Sequence, residues 1–125
     1  MNRYIMVIDD SPTVRTSVEY SVKSLGFPIM QAENGVDALA KIKSIKGAGD
    51  DIAICVCDIN MPEMDGMTFI GEFRKTDKFT PVIVLTTEAD ESKIQQGKTA
   101  GFSGWLVKPF RPEQLISVVE RFVKK

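Results

Sequence analysis

The chain has 125 residues, the size of one ordinary domain, and a chain of that length buries roughly two-thirds of its unfolded surface, enough for a core without staples. Apolar residues make up 43% and charged residues 26%, and 17 acids against 16 bases leave a net charge of −1, which argues against nucleic acid as the main partner. The count of zero histidines excludes Ser-His-Asp and Cys-His nucleophiles, His-bearing metal sites and any role as a phosphohistidine donor.

Short apolar runs alternate with helical patterns along the chain. Residues 4–8 form the first run. Ser11 follows as a helix N-cap with Pro12 at the first helical position; Val14, Val18, Val22 and Leu25 recur at helical spacing, and Gly26 supplies the stop. Residues 28–32 are a weaker strand. Val36, Leu39 and Ile42 predict a second helix, ending before Gly47-Ala48-Gly49. Residues 52–57 are solidly apolar, and their two cysteines, Cys55 and Cys57, share one strand face as buried core thiols. Met67, Ile70 and Phe73 predict a third helix, and residues 82–85 a fourth strand. The helical pattern over 90–100 is the weakest: Ile94 is its one large apolar residue and Gly97 interrupts it, so it is the least anchored. Residues 105–107 close the set of strands, and Pro112 opens a last helix through Leu115, Val118, Val119 and Phe122.

Runs apolar on both faces belong to a parallel sheet covered on both sides. Strand and helix repeat five times, and right-handed crossovers place helices on both faces of a five-stranded parallel sheet. The expectation is a single α/β domain over residues 1–125. No apolar run approaches the ~20 residues of a membrane span, and no leader opens the chain, so a cytoplasmic protein with no membrane partner is expected.

Open α/β sheets bind ligands at the carboxyl ends of their strands. Asp9 and Asp10 follow the first run, Asp58 the third, Thr86 the fourth and Lys108 the fifth. Strands 1 and 3 are neighbours in this topology, so three carboxylates converge. Two unit charges ~5 Å apart at an effective dielectric near 20 repel by roughly 3 kcal/mol, a cost that fold stability does not ask for. Three carboxylates and one lysine sum to −2, which one Mg²⁺ neutralises, and hard oxygen ligands suit that ion. A carboxylate nucleophile, a metal, a hydroxyl and a fixed cation together make a phosphoryl-transfer site.

The set Asp9-Asp10, Asp58, Asn60-Met61-Pro62, Asp65-Gly66, Thr86 and Lys108-Pro109-Phe110 resembles the receiver domain of two-component response regulators, over residues 4–123. Among these it is most similar to single-domain, CheY-like chemotaxis regulators. The resemblance implies a flavodoxin-like (βα)5 fold with strand order 2-1-3-4-5 and a cis Lys108–Pro109 bond. It implies that Asp58 accepts a phosphoryl group from a phosphohistidine on a sensor histidine kinase or histidine phosphotransfer protein. It implies that Asp10, Asp58 and the backbone carbonyl of Asn60 hold Mg²⁺, with Asp9 acting through a metal-bound water. Lys108 and Thr86 then bind phosphoryl oxygens, Trp105 occupies the aromatic-switch position, and Asn60 and Glu88 tune dephosphorylation.

Similar regulators carry Tyr or Phe where this chain has Trp105, and are more basic where it has Asp90 and Glu91 beside Lys93. The implied output surface is the fourth helical pattern, strand 5 and the fifth helical pattern, in a monomeric signalling switch rather than an enzyme. An intermediate phosphotransfer or phosphate-sink receiver is the alternative within the family. A Mg²⁺-dependent phosphatase with an aspartyl nucleophile needs a second Asp where this chain has Asn60. A flavodoxin-type FMN carrier would meet repulsion between its phosphate and Asp9-Asp10.

Overall fold

The apolar runs pair into one parallel sheet. A computed structural model of the protein describes residues 1–59, 61, 63–87 and 101–123. Within them lie β1 (Arg3–Ile8), β2 (Ile29–Ala32), β3 (Asp51–Asp58), β4 (Val82–Thr86) and β5 (Gly104–Val107), in the spatial order β2-β1-β3-β4-β5. Every neighbouring pair is parallel. The helices among the described residues are α1 (Pro12–Val22), prolonged by a 3-10 turn over Lys23–Leu25, then α2 (Gly35–Gly47), α3 (Gly66–Arg74) and α4 (Pro112–Phe122), the last of the helical patterns in the sequence. The weak pattern over 90–100, with Asp90, Glu91 and Lys93, lies outside the described residues, as do Asn60 and Glu88. No helix among the described residues is long and apolar enough to cross a membrane.

The alternation of strand side chains divides the interior into two cores. Met6, Ile8, Cys55, Cys57, Val82 and Val84 face α2 and α3, where Phe69 and Phe73 stack with ring centroids 5.7 Å apart. Ile5, Val7, Ile54, Val56, Ile83 and Leu85 face Val18, Val22, Leu115 and Val119 of α1 and α4. The central strand β3 is buried on both faces from Ile52 onward, which is why its run has no polar alternation. Burial pushes the Cys55 thiol up to about 12 and raises that of Cys57 as well, so both are unreactive core groups.

Local signals set the helix ends. The Ser11 hydroxyl accepts a hydrogen bond from the Val14 N–H at 3.3 Å, with Pro12 in the first turn, and Gly26 ends the 3-10 turn at φ 85°. The buried face of α2 differs from the expected one. It consists of Gly35, Ala38, Ile42 and Ile45, while Val36 is 53% exposed and Leu39 is half-buried. Gly35 lies so close to Met64 that a Cβ there would sit 2.9 Å from its side chain. This close approach turns the smallest residue of the first turn inward and carries its larger neighbour Val36 outward.

Candidate functional site

Register and side-chain alternation together assemble the site. Ile8 pairs with Cys57, so Asp9 and Asp58 leave adjacent strands side by side. Asp9 continues the alternation of Ile5 and Val7, and Asp58 that of Ile54 and Val56, so both carboxylates project from the α1/α4 face. Thr86 pairs with Val107 and its carbonyl accepts the Lys108 N–H at 2.7 Å, which delivers Lys108 to the same edge. The Lys108–Pro109 bond is cis, as the resemblance implies.

One oxygen each from Asp9, Asp10 and Asp58 lie within 4.8 Å of one another. Asp9 and Asp58 are buried, and Asp10 is exposed. The Lys108 ammonium donates to Asp58 Oδ1 at 3.2 Å and stands 3.6 Å from Asp9 Oδ2. Asp9 Oδ1 accepts the Ser11 N–H at 2.9 Å, but its buried Oδ2 finds no hydrogen-bond partner among the described residues. A buried carboxylate oxygen left in that state, beside two further carboxylates and one cation, fits a hard divalent ion. Thr86 is buried at the end of β4. Trp105 is partly exposed and stacks on Phe102 with centroids 6.0 Å apart.

The loop after β3 is held by α3. The Asp65 carboxylate accepts the Thr68 N–H at 2.8 Å as the α3 N-cap, and the Gly66 N–H donates to the Ile59 carbonyl at 2.9 Å. A Cβ on Gly66 would lie 2.7 Å from the Asp58 carbonyl oxygen and 2.8 Å from Ile59 Cα, so glycine is required here by close approach to the backbone carrying Asp58. Beside Lys108 a groove of about 530 Å³ opens between α1 and α4, lined by Val14, Val18, Pro109, Phe110 and Leu115 among others. Its walls are largely apolar and contribute the hydroxyls of Thr13, Ser17, Ser21 and Thr87 but no carboxylate, so the metal-binding chemistry rests with Asp9, Asp10 and Asp58. The structure thus brings together Asp9, Asp10, Asp58 and Lys108, with Thr86 ending the neighbouring strand β4. It also adds Arg15, which donates to the Asp9 carbonyl at 2.6 Å and has no place in the sequence reading. A signal for it exists: a cation in the opening turns of a helix opposes the helix dipole and calls for a local partner.

Desolvation raises the Asp9 pKa; the Ser11 N–H opposes it, Asp58 adds to it, and Lys108 and Asp10 act in opposite senses. A raised carboxylate pKa means that ionising Asp9 costs folded-state stability, a cost present above the folded pKa and relieved as the pH falls through it. Asp9→Asn should therefore raise the melting temperature of the metal-free protein at pH 7 by a few degrees, about 1 kcal/mol. The gain should shrink at pH 4. Thermal unfolding in EDTA at the two pH values checks this, and a loss of stability at pH 7 would contradict it.

Comparison with known proteins gives this geometry a family. The sequence profile described as "Response regulator receiver domain" matches residues 5–120. The chain is a response regulator receiver domain. It is 33% identical to the chemotaxis protein CheY1 of Helicobacter pylori, with 93% of each chain covered. It is 38% identical over 124 residues to the sensor histidine kinase CheAY of the same organism, spanning 96% of this chain but 15% of that protein's length. The crystallised chemotaxis protein CheY4 of Vibrio cholerae superposes with a TM-score of 0.88 at 35% identity, covering 98% of this chain and all of that one. The receiver is thus a homologue of CheY chemotaxis response regulators, with the flavodoxin-like fold expected and a role in two-component signalling.

Proposed function

We propose that this receiver is a cytoplasmic phosphorylation switch in chemotaxis or a related pathway, with Asp58 as phosphoacceptor and Mg²⁺ as its cofactor. The observation that carries the reading is the convergence of three carboxylates within 4.8 Å around the Lys108 ammonium. Asp10 and Asp58 would hold the ion, with the backbone carbonyl of Asn60 and with Asp9 acting through water. When bound, Mg²⁺ would neutralise the carboxylates and the oxygens of an incoming phosphoryl group.

An Asp58 carboxylate oxygen attacks the phosphorus of a phosphohistidine on a sensor kinase or phosphotransfer protein. The P–N bond breaks, the electron pair leaves with the imidazole, and an acyl phosphate forms. Lys108, already within hydrogen-bond distance of Asp58, moves its contact to a phosphoryl oxygen. Thr86 donates its hydroxyl to another. Both side chains then have different partners in the two states, as a population shift requires. Trp105, on the strand between Thr86 and the surface, reports that change to a partner docked on β5, α4 and the segment between β4 and β5. Asn60 and Glu88 control access of hydrolytic water. The receiver acts as a monomer and turns over no substrate of its own.

Intact mass and Trp105 fluorescence test this together. Protein with Mg²⁺ and acetyl phosphate should gain one phosphoryl group and change its emission, and EDTA should prevent both. No adduct in the presence of Mg²⁺ would overturn the reading.

A further inference from the structure

We infer that Arg15 is a positioning residue for the metal site, locked onto the Asp9–Asp10 peptide by a side-chain relay through Gln31. The inference rests on the Mg²⁺ reading above. The loop between β1 and α1 carries both Asp9 and Asp10. The Asp9 N–H donates to the Ala32 carbonyl at 3.1 Å, and its Oδ1 accepts the Ser11 N–H at 2.9 Å. Its carbonyl accepts from the Arg15 Nη1 at 2.6 Å. A peptide unit is planar, so holding the Asp9 carbonyl also fixes the Asp10 nitrogen and the direction in which Asp10 leaves the strand.

Arg15 is itself held. Its Nε donates to Gln31 Oε1 at 3.1 Å, and Gln31 Nε2 donates to Glu19 Oε1 at 2.9 Å. The Gln31 backbone carbonyl accepts from Lys41 Nζ at 2.7 Å, and Lys41 pairs with Asp37 at 3.1 Å. A line of contacts therefore runs from α2 across β2 to α1 and ends on the peptide that bears Asp10. The glutamine is suited to the middle of this line, because its amide offers an acceptor to Arg15 and a donor to Glu19 at once. Mg²⁺ demands near-ideal octahedral geometry, so a loosened Asp10 costs affinity without any ligand being removed, and partners behind metal ligands commonly matter 10–100-fold.

The sign of the effect separates positioning from charge. If Arg15 acted through its charge, removing a cation beside three carboxylates would tighten Mg²⁺ binding. If it were merely a fold contact, affinity would not move. Positioning predicts weaker binding, and predicts it also for Gln31→Leu, which changes no charge.

The test is melting temperature against Mg²⁺ concentration for the wild type, Arg15→Met, Arg15→Lys and Gln31→Leu. The metal-free point gives intrinsic stability, and the concentration dependence gives Kd. Arg15→Met should raise Kd about tenfold and Gln31→Leu about threefold. Arg15→Lys, with charge but no fork, should lie between wild type and Arg15→Met. A folded Arg15→Met with unchanged or lower Kd would overturn the inference. Should that variant not fold, an unchanged Kd in Gln31→Leu would do the same. A wild type whose melting temperature ignores Mg²⁺ would overturn the metal reading, and this inference with it.

Discussion

Asp58→Asn should remain folded and take up no phosphoryl group from acetyl phosphate, while the wild type forms an acid-labile adduct. The substitution keeps the shape of the side chain and removes the nucleophile, because an amide oxygen is a poor nucleophile beside a carboxylate. In the wild type an Asp58 oxygen attacks phosphorus and acetate departs with the electron pair of the broken P–O bond. Among the described residues, hydroxyls near the site include Ser11 beside Asp9 and Thr86 at the end of β4, and the chain has no histidine to serve them as a general base. Intact mass should therefore show complete loss of the adduct. Phosphate that survives mild acid would place the chemistry on a hydroxyl, an adduct that persists in Asp58→Asn would place it on another residue, and either would refute Asp58 as the acceptor. The same variant removes one of three crowded carboxylates but also weakens the Lys108 ion pair at 3.2 Å to a hydrogen bond onto a neutral acceptor.

Much of this site was legible because it follows from strand ends. The run at 52–57 is apolar on both faces, which marks a central parallel strand, and residues after such runs gather on one edge by topology alone. Asp9, Asp58 and Lys108 needed only that rule and the two-residue strand period. The strand order and the cis Lys108–Pro109 bond came from the resemblance, since neither follows from apolar periodicity. Other features depend on contacts that periodicity does not encode. Val36 fits the helical spacing of α2 as well as Gly35 and Ala38 do, and only the close approach of Met64 decides which faces inward. Arg15 and Gln31 stand sixteen residues apart on different elements, and the acceptor that unites them with the site is a backbone carbonyl, which every residue has. Met61 follows β3 within the Asn60-Met61-Pro62 motif, yet its side chain is buried in the α2/α3 core.

At the opposite end of the sheet, Asp77→Ala should cost about 3 kcal/mol of stability, among the largest losses expected of any polar substitution among the described residues. Asp77 is buried and accepts four hydrogen bonds. Oδ2 receives Lys46 Nζ and the Thr80 hydroxyl, both at 2.6 Å, and Oδ1 receives the N–H groups of Phe79 at 3.0 Å and Thr80 at 2.9 Å. These bonds tie the turn between α3 and β4 to α2 and hold Phe79 at its tip, 94% exposed. Burial alone would raise the Asp77 pKa, but the bonds from Lys46 and Thr80 outweigh it and hold the carboxyl well below the usual range. A depressed folded pKa gives stability that is fully present above the unfolded pKa near 3.9 and is lost as the pH falls below it. Asp77→Asn keeps an acceptor for the two backbone N–H groups and loses the charge, so it should cost about half as much as Asp77→Ala at pH 7. Urea unfolding at pH 7 and pH 3 checks both points. The gap between wild type and Asp77→Asn should narrow at the lower pH, because the unfolded wild type then binds a proton that the folded carboxylate, with its depressed pKa, does not. This trend is opposite in sign to that expected of Asp9, whose ionisation opposes folding. A gap that stays constant with pH would mean that Asp77 acts through hydrogen-bond geometry alone, with its charge contributing nothing to stability.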